Sequence, residues 1–232
     1  MINDDSLSGC TAYCFIENDK IIKIYKYPFS DLDVDDLSSC VSERISFPYE
    51  YIKKRRYYLG EVLPYFNVNN IMESIQNNCN IDKMMNHYNI IVKEIKKYPN
   101  IIMHDLSVPN ILYDDVNGFF LIDVTFWKKI KDNVYNSFVY NLNSLNDSLT
   151  FAFYDFLFMN GYDLIMGNNE IEEMIKKILG LEFYELYLKG RKRTYDFPKL
   201  MEMYREIMVK KYNILINNTE DMKKSIKILK KT

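Results

Sequence analysis

The chain has 232 residues, 30 basic and 32 acidic side chains, and a formal charge of −2. That length supports a sizeable core, burying about 70–75% of the unfolded chain's surface without staples. The near-neutral balance excludes a dedicated nucleic-acid or polybasic membrane binder, and 48% hydrophobic content with 27% charge excludes disorder. With only 7 glycines, a multi-glycine dinucleotide fingerprint has little to be built from.

The acidic start, Met1-Ile2-Asn3-Asp4-Asp5, is the opposite of a secretory leader. Cys10, Cys14, Cys40 and Cys79 form no Cys-x-x-Cys pair and no zinc-finger spacing. A reduced, cytoplasmic protein with no membrane partner is expected.

In chain order, residues 11–17 form a β-branched and aromatic run, Asn18-Asp19 a turn, and residues 20–27 a second strand. This predicts a hairpin ending at Pro28. Residues 30–41 carry Leu32, Leu37 and Val41 at weak helical spacing, which predicts a short helix. Residues 45–52 and 57–65 read as two more strands around the basic turn Lys53-Lys54-Arg55-Arg56. The polar stretch Asn67–Asn70 is a linker. Beyond it, Ile81, Met84, Met85, Tyr88, Val92 and Ile95 share one helical face, with Asn80 as N-cap and Pro99 as stop.

Two short strands then bracket a loop around residues 101–103 and 111–113. A third, 119–124, follows the hairpin turn Asn117-Gly118. Helical intervals return near 144–160, 170–179, 198–216 and 219–230, with Gly180 as a stop. The basic runs 191–193 and 223–231 read as solvated charge.

The chemistry concentrates in residues 101–123. Asp105, Asn110 and Asp123 punctuate otherwise apolar strands. Two carboxylates and an amide on strand ends form a hard-oxygen set of the kind that holds Mg²⁺ against phosphate. One carboxylate could instead orient a nucleophilic hydroxyl.

This stretch resembles the protein-kinase-like superfamily, which spans protein kinases and the aminoglycoside and choline phosphotransferases. Its catalytic loop has an Asp, an Asn five positions on, and a metal-binding Asp after a hairpin. Asp105, Asn110 and Asp123, the last eighteen positions after the first, match that pattern. Ile21-Ile22-Lys23 resembles the family's Val-Ala-Ile-Lys strand, which makes Lys23 the phosphate lysine and puts Ile21 over the base; Lys20 and Lys26 are rivals. Gly9, within Ser6–Tyr13, stands where the glycine-rich loop would be. Residues 60–66 resemble the fifth strand and hinge, placing Glu61 and Leu63 at the base.

The resemblance covers roughly residues 6–130. It implies an α+β, bilobal fold, with a β-rich N-lobe over 1–66 and a mostly helical C-lobe over 67–232 holding the catalytic loop 103–110. It also implies ATP and Mg²⁺ as cofactors and transfer of the γ-phosphate to a hydroxyl of a protein or small molecule.

Departures are visible. Met103 and His104 precede Asp105 where the family has its His, and Ser107 replaces a phosphate-directed Lys. Val124-Thr125-Phe126-Trp127 follows Asp123, and no Ala-Pro-Glu follows. The acidic partner of Lys23 is left open among Asp35, Asp36 and Glu43. These losses admit a pseudokinase, a nucleotide-binding or protein-interaction module, as the alternative.

Overall fold

The structure, a computed structural model, describes residues 2–3, 11–131, 134–159, 173, 176–177, 180–181, 184–185, 188 and 196–229. The fold is mixed α/β with an antiparallel sheet, and the chain divides into two compact units. The first comprises Met1–Val68, Glu94–Leu106 and Phe120–Asn141; the second comprises Asn69–Lys93, Ser107–Phe119 and Leu142–Thr232. A division after residue 66 was expected from the linker. The first crossing falls at Val68, and the first unit also takes in two later segments.

The first unit is built on five strands: β1 (Ile2–Asn3), β2 (Ala12–Glu17), β3 (Lys20–Ser30), β4 (Glu50–Lys54) and β5 (Tyr57–Pro64). Their order is β1-β2-β3-β5-β4, antiparallel throughout. Asn18, at φ 57, makes the β2–β3 turn, which pairs Glu17 with Lys20. Arg55, at φ 58, makes the β4–β5 turn, so the basic run straddles a strand end and a turn.

Pro28 does not end β3. The β3–β5 register shifts between Ile24 and Phe29, and Pro28 sits in that irregular stretch, where its missing N–H breaks no ladder bond. Beside the shift, a Cβ on Gly60 would lie 2.3 Å from the Lys23 carbonyl oxygen, so only glycine lets β5 run this close to β3.

The helix expected over 30–41 is not formed; Ser30 ends β3, and 31–41 are turns and irregular chain. Local side-chain bonds take its place. Asp33 Oδ2 accepts from Ser30 Oγ at 2.8 Å, and Asp36 Oδ1 accepts from the Ser38 N–H at 3.1 Å. Such bonds offer the backbone an alternative to helix. The strand expected at 45–52 shrinks to β4, because Pro48 interrupts it; Ile45 makes only an isolated bridge to Leu121.

One core cluster of this unit gathers Ala12, Tyr25, Val34 and Tyr58, with Phe29 and Tyr51 packed against it. Phe29 meets the rings of Tyr25 and Phe126 edge-on at 4.8 and 5.1 Å.

The second unit is mostly helical. The linker leads directly into a helix absent from the sequence expectation, α1 (Ile71–Gln76), capped by Asn70 Oδ1 on the Glu73 N–H at 3.0 Å. Next come α2 (Ile81–Lys96), β6 (Ile101–Ile102), a 3₁₀ turn at Val108–Asn110, β7 (Ile111–Asp114), β8 (Gly118–Leu121) and β9 (Lys128–Lys129). Of these, the 3₁₀ turn, β7, α1 and most of α2 belong to the second unit; β6 and β9 pair within the first.

The β7–β8 hairpin has Gly118 at φ 87, and Asp114 accepts the N–H of Val116 at 2.7 Å and that of Asn117. Asn80 caps α2 on the Lys83 N–H at 2.9 Å.

Helix α3 runs Val134–Tyr154 and passes into a π-helical turn, Asp155–Met159. Helices α4 (Phe197–Tyr212) and α5 (Thr219–Leu229) end the described chain. Asn213, at φ 55, stops α4. Tyr88 and the Phe197 N–H share the Asn146 side-chain oxygen at 2.6 and 3.2 Å, tying α2, α3 and α4 together. Most of 170–179, all of 191–193 and residues 230–231 lie outside the described residues. Among the described residues no helix is long and apolar enough to cross a membrane.

Candidate functional site

Strand alternation decides which lysine turns inward. Residues 21, 23 and 25 of β3 share one face, and 20 and 26 take the other. Lys23 is 8% exposed. Lys20 and Lys26 stay outside, with their ammonium groups over the rings of Tyr49 and Tyr13 at 5.4 and 5.0 Å. Cross-strand register then lines up Cys14 on β2, Lys23 on β3 and Glu61 on β5. The neighbouring row on the same face is Ile16, Ile21 and Leu63. Ile21 and Leu63 therefore flank the lysine with apolar surface.

Lys23 Nζ donates to Asp123 Oδ1 at 2.5 Å and to Thr125 Oγ1 at 2.8 Å, and it lies 3.3 Å from Glu61 Oε1. Thr125 in turn donates to Glu61 Oε1 at 2.6 Å. An ammonium has three donors, and these three acceptors match them. Glu61 is fully buried and Thr125 is 1% exposed, whereas the Asp123 side chain is 40% exposed. Burial alone would lower the Lys23 pKa, but Glu61 and Asp123 outweigh it and hold the ammonium above the ordinary lysine value. The Tyr25 hydroxyl, in the same cluster, is pushed up by burial and then by the charge of Glu61.

Glu61 was expected to act at the base edge. Its main chain lies between β3 and β4, paired with Lys23 and Tyr51, and its side chain turns to Lys23. It is the acid that sequence reasoning left open. Of the three candidates, Asp36 pairs with Lys53 at 2.6 Å; burial opposes ionisation there, but the bonds from Lys53 and Ser38 bring its pKa down to about 2. Asp35 Oδ2 accepts the Lys129 N–H at 2.6 Å. Thr125 was missed as well. The signal for Glu61 was present: it is the only charged residue in Tyr57–Leu63, on the strand that pairs with β3.

Asp123 and Asp105 share a backbone feature. Both are left-handed, at φ 58 and φ 55, a conformation that non-glycine residues rarely hold and that concentrates at functional sites. Asp105 is exposed in the turn after β6. His104 beside it stacks edge-on against Tyr140 at 6.0 Å.

The strand leading into this turn is clasped by Asn141 of α3. Its Oδ1 accepts the Met103 N–H at 2.8 Å and its Nδ2 donates to the Ile101 carbonyl at 2.7 Å, all fully buried or nearly so. Replacing Asn141 with Leu strands both main-chain groups, at about 1–3 kcal/mol each. Urea unfolding should show that loss as a lower midpoint.

Asn110 belongs to the second unit and closes the 3₁₀ turn, its N–H donating to the Ser107 carbonyl at 2.9 Å and its Nδ2 to Ser107 Oγ at 3.3 Å. Gly9 lies outside the described residues.

Asp123 offers a hard carboxylate oxygen of the type that takes a divalent cation together with phosphate oxygens and water. Among the described residues no cluster of three or more His, Cys, Asp or Glu gathers as a protein cage. Mg²⁺ needs none, since it is held by one or two carboxylates with phosphate oxygens and water. Lys23 and Thr125 both meet Asp123 at Oδ1, and the Asp123 side chain is 40% exposed.

A scan against protein-family models finds none that matches this chain, and a search of curated proteins finds no match either.

Proposed function

We propose that this chain is an ATP- and Mg²⁺-dependent phosphotransferase of protein-kinase-like fold, acting on a hydroxyl of a protein or small molecule. The observation that carries the reading is the meeting of Lys23 and Asp123, a hundred residues apart in sequence, at 2.5 Å. The resemblance of the Asp105, Asn110 and Asp123 pattern pointed to a phosphate-handling carboxylate at 123, and that of Ile21-Ile22-Lys23 pointed to Lys23. Their contact supports both. The five-stranded antiparallel sheet with a lysine in its third strand is consistent with the N-lobe of that family.

In this reading Lys23 neutralises nucleotide phosphate oxygens. Asp123 would hold Mg²⁺, which supplies charge neutralisation of the phosphates when bound; the resemblance gives Asn110 the same role. Asp105 accepts or orients the proton of the acceptor hydroxyl. Phosphoryl transfer depends mainly on positioning and electrostatic stabilisation, so these groups are an adequate set.

The test is transfer of the label from γ-labelled ATP to the acceptor, with Mg²⁺ and, separately, with EDTA, across a panel of protein and small hydroxylated acceptors. Mg²⁺-dependent transfer supports the reading, and nucleotide binding with no turnover on any acceptor favours the second one. That second reading, a pseudokinase, has one observation of its own: three acceptors already surround the Lys23 ammonium, so a phosphate must displace one of them.

A further inference from the structure

We propose that Glu61 and Thr125 are positioning residues for Lys23, fixing its ammonium from within the sheet so that its exposed side meets nucleotide phosphate. The inference rests on the phosphotransferase reading above. Lys23 and Glu61 are directly opposed across β3 and β5, and Gly60 permits the close approach of those strands. Thr125 bridges the two, accepting from Lys23 at 2.8 Å and donating to Glu61 at 2.6 Å. It also sits two residues after Asp123, so the same hydroxyl ties the segment carrying that carboxylate to β5.

Side-chain exposure rises from Glu61 at 0% through Lys23 at 10% to Asp123 at 40%. The lysine is thus anchored at its buried end and meets solvent at the Asp123 end. An incoming phosphate has to replace only the outer partner. A wholly buried carboxylate is costly beside an apolar side chain of similar volume, and its contact with the Lys23 ammonium offsets that cost. Residues 31–49 contribute no helix and no acid to Lys23. The ion pair is built into the strand register and does not wait on the docking of a separate element.

Mg-ATP titrations of the wild type, Thr125→Val, Thr125→Ser and Glu61→Gln test this, with unfolding midpoints measured in parallel. The expected result is affinity about ten-fold weaker in Thr125→Val and Glu61→Gln, and restored in Thr125→Ser. A merely structural role would lower the midpoint of Thr125→Val while leaving the affinity of the folded protein unchanged, and that result overturns the assignment. If Glu61→Gln does not fold, the Thr125 pair decides alone. Wild-type protein that binds no Mg-ATP overturns the phosphotransferase reading and this assignment with it. Wild-type binding with unaltered variants overturns this assignment only.

Discussion

Asp123→Asn should lower phosphoryl transfer by about three orders of magnitude while the protein stays folded. The amide keeps the shape of the carboxylate and can still accept from Lys23 through Oδ1, so the Lys23 contact survives in form. It loses the negative charge that a divalent cation needs, and with it several kcal/mol of charge stabilisation on the transferring group. The Asp123 side chain is 40% exposed, so little packing depends on it. Asp105→Asn should behave differently. It should cut turnover by about 10²–10⁴-fold, the usual contribution of a positioned acid or base, and leave nucleotide affinity near wild type. Steady-state kinetics on both variants, beside a Mg-ATP binding isotherm, separate the two roles. Equal loss of binding in both would assign Asp105 to the nucleotide rather than to the acceptor.

The largest effect on stability is expected at the buried pair. Lys23→Met leaves Glu61, at 0% exposure, without its cation; Glu61→Leu leaves an ammonium of 10% exposure without its most buried partner. Breaking a buried ion pair on one side costs about 3–5 kcal/mol, whereas replacing both members with apolar groups of similar size is often neutral. The double variant Lys23→Met/Glu61→Leu should therefore unfold at a higher urea concentration than either single variant. Additive losses would mean that Thr125 and Asp123, rather than Glu61, offset the charge of Lys23. The double variant should be inactive whatever its stability, because the Lys23 ammonium is gone.

The parts of this fold that were legible in the sequence are those written in local patterns. The β2–β3 hairpin follows from two β-branched runs around Asn18-Asp19, and α2 from an apolar stripe between Asn80 and Pro99. Parity along β3 was enough to put Lys23 and Ile21 on one face and Lys26 on the other. What was not legible depended on partners far along the chain. Residues 30–41 had a weak helical spacing, but Asp33 and Asp36 bond their own turns, and Lys128 and Lys129 fasten the segment by its carbonyls and by Asp35. Helix α1 was hidden in what looked like a linker, since Asn70 serves as well for a cap as for a loop. Glu61 read as a hinge residue because its neighbours fit that segment. Its side chain's direction follows from the β3–β5 register, which the sequence does not state. Thr125 was passed over for the same reason: a hydroxyl two residues after a carboxylate gains meaning only when a lysine a hundred positions earlier is opposite it.

On the proposed reading, the Lys23, Glu61, Thr125 and Asp123 group receives a magnesium nucleotide. Isothermal titration of ATP into the wild-type protein, once with Mg²⁺ and once with EDTA, and again with Asp123→Asn, tests it most directly. Saturable binding that requires Mg²⁺ and is lost or strongly weakened in Asp123→Asn is expected. Absence of binding at millimolar Mg-ATP, or equal binding in all three titrations, would contradict it.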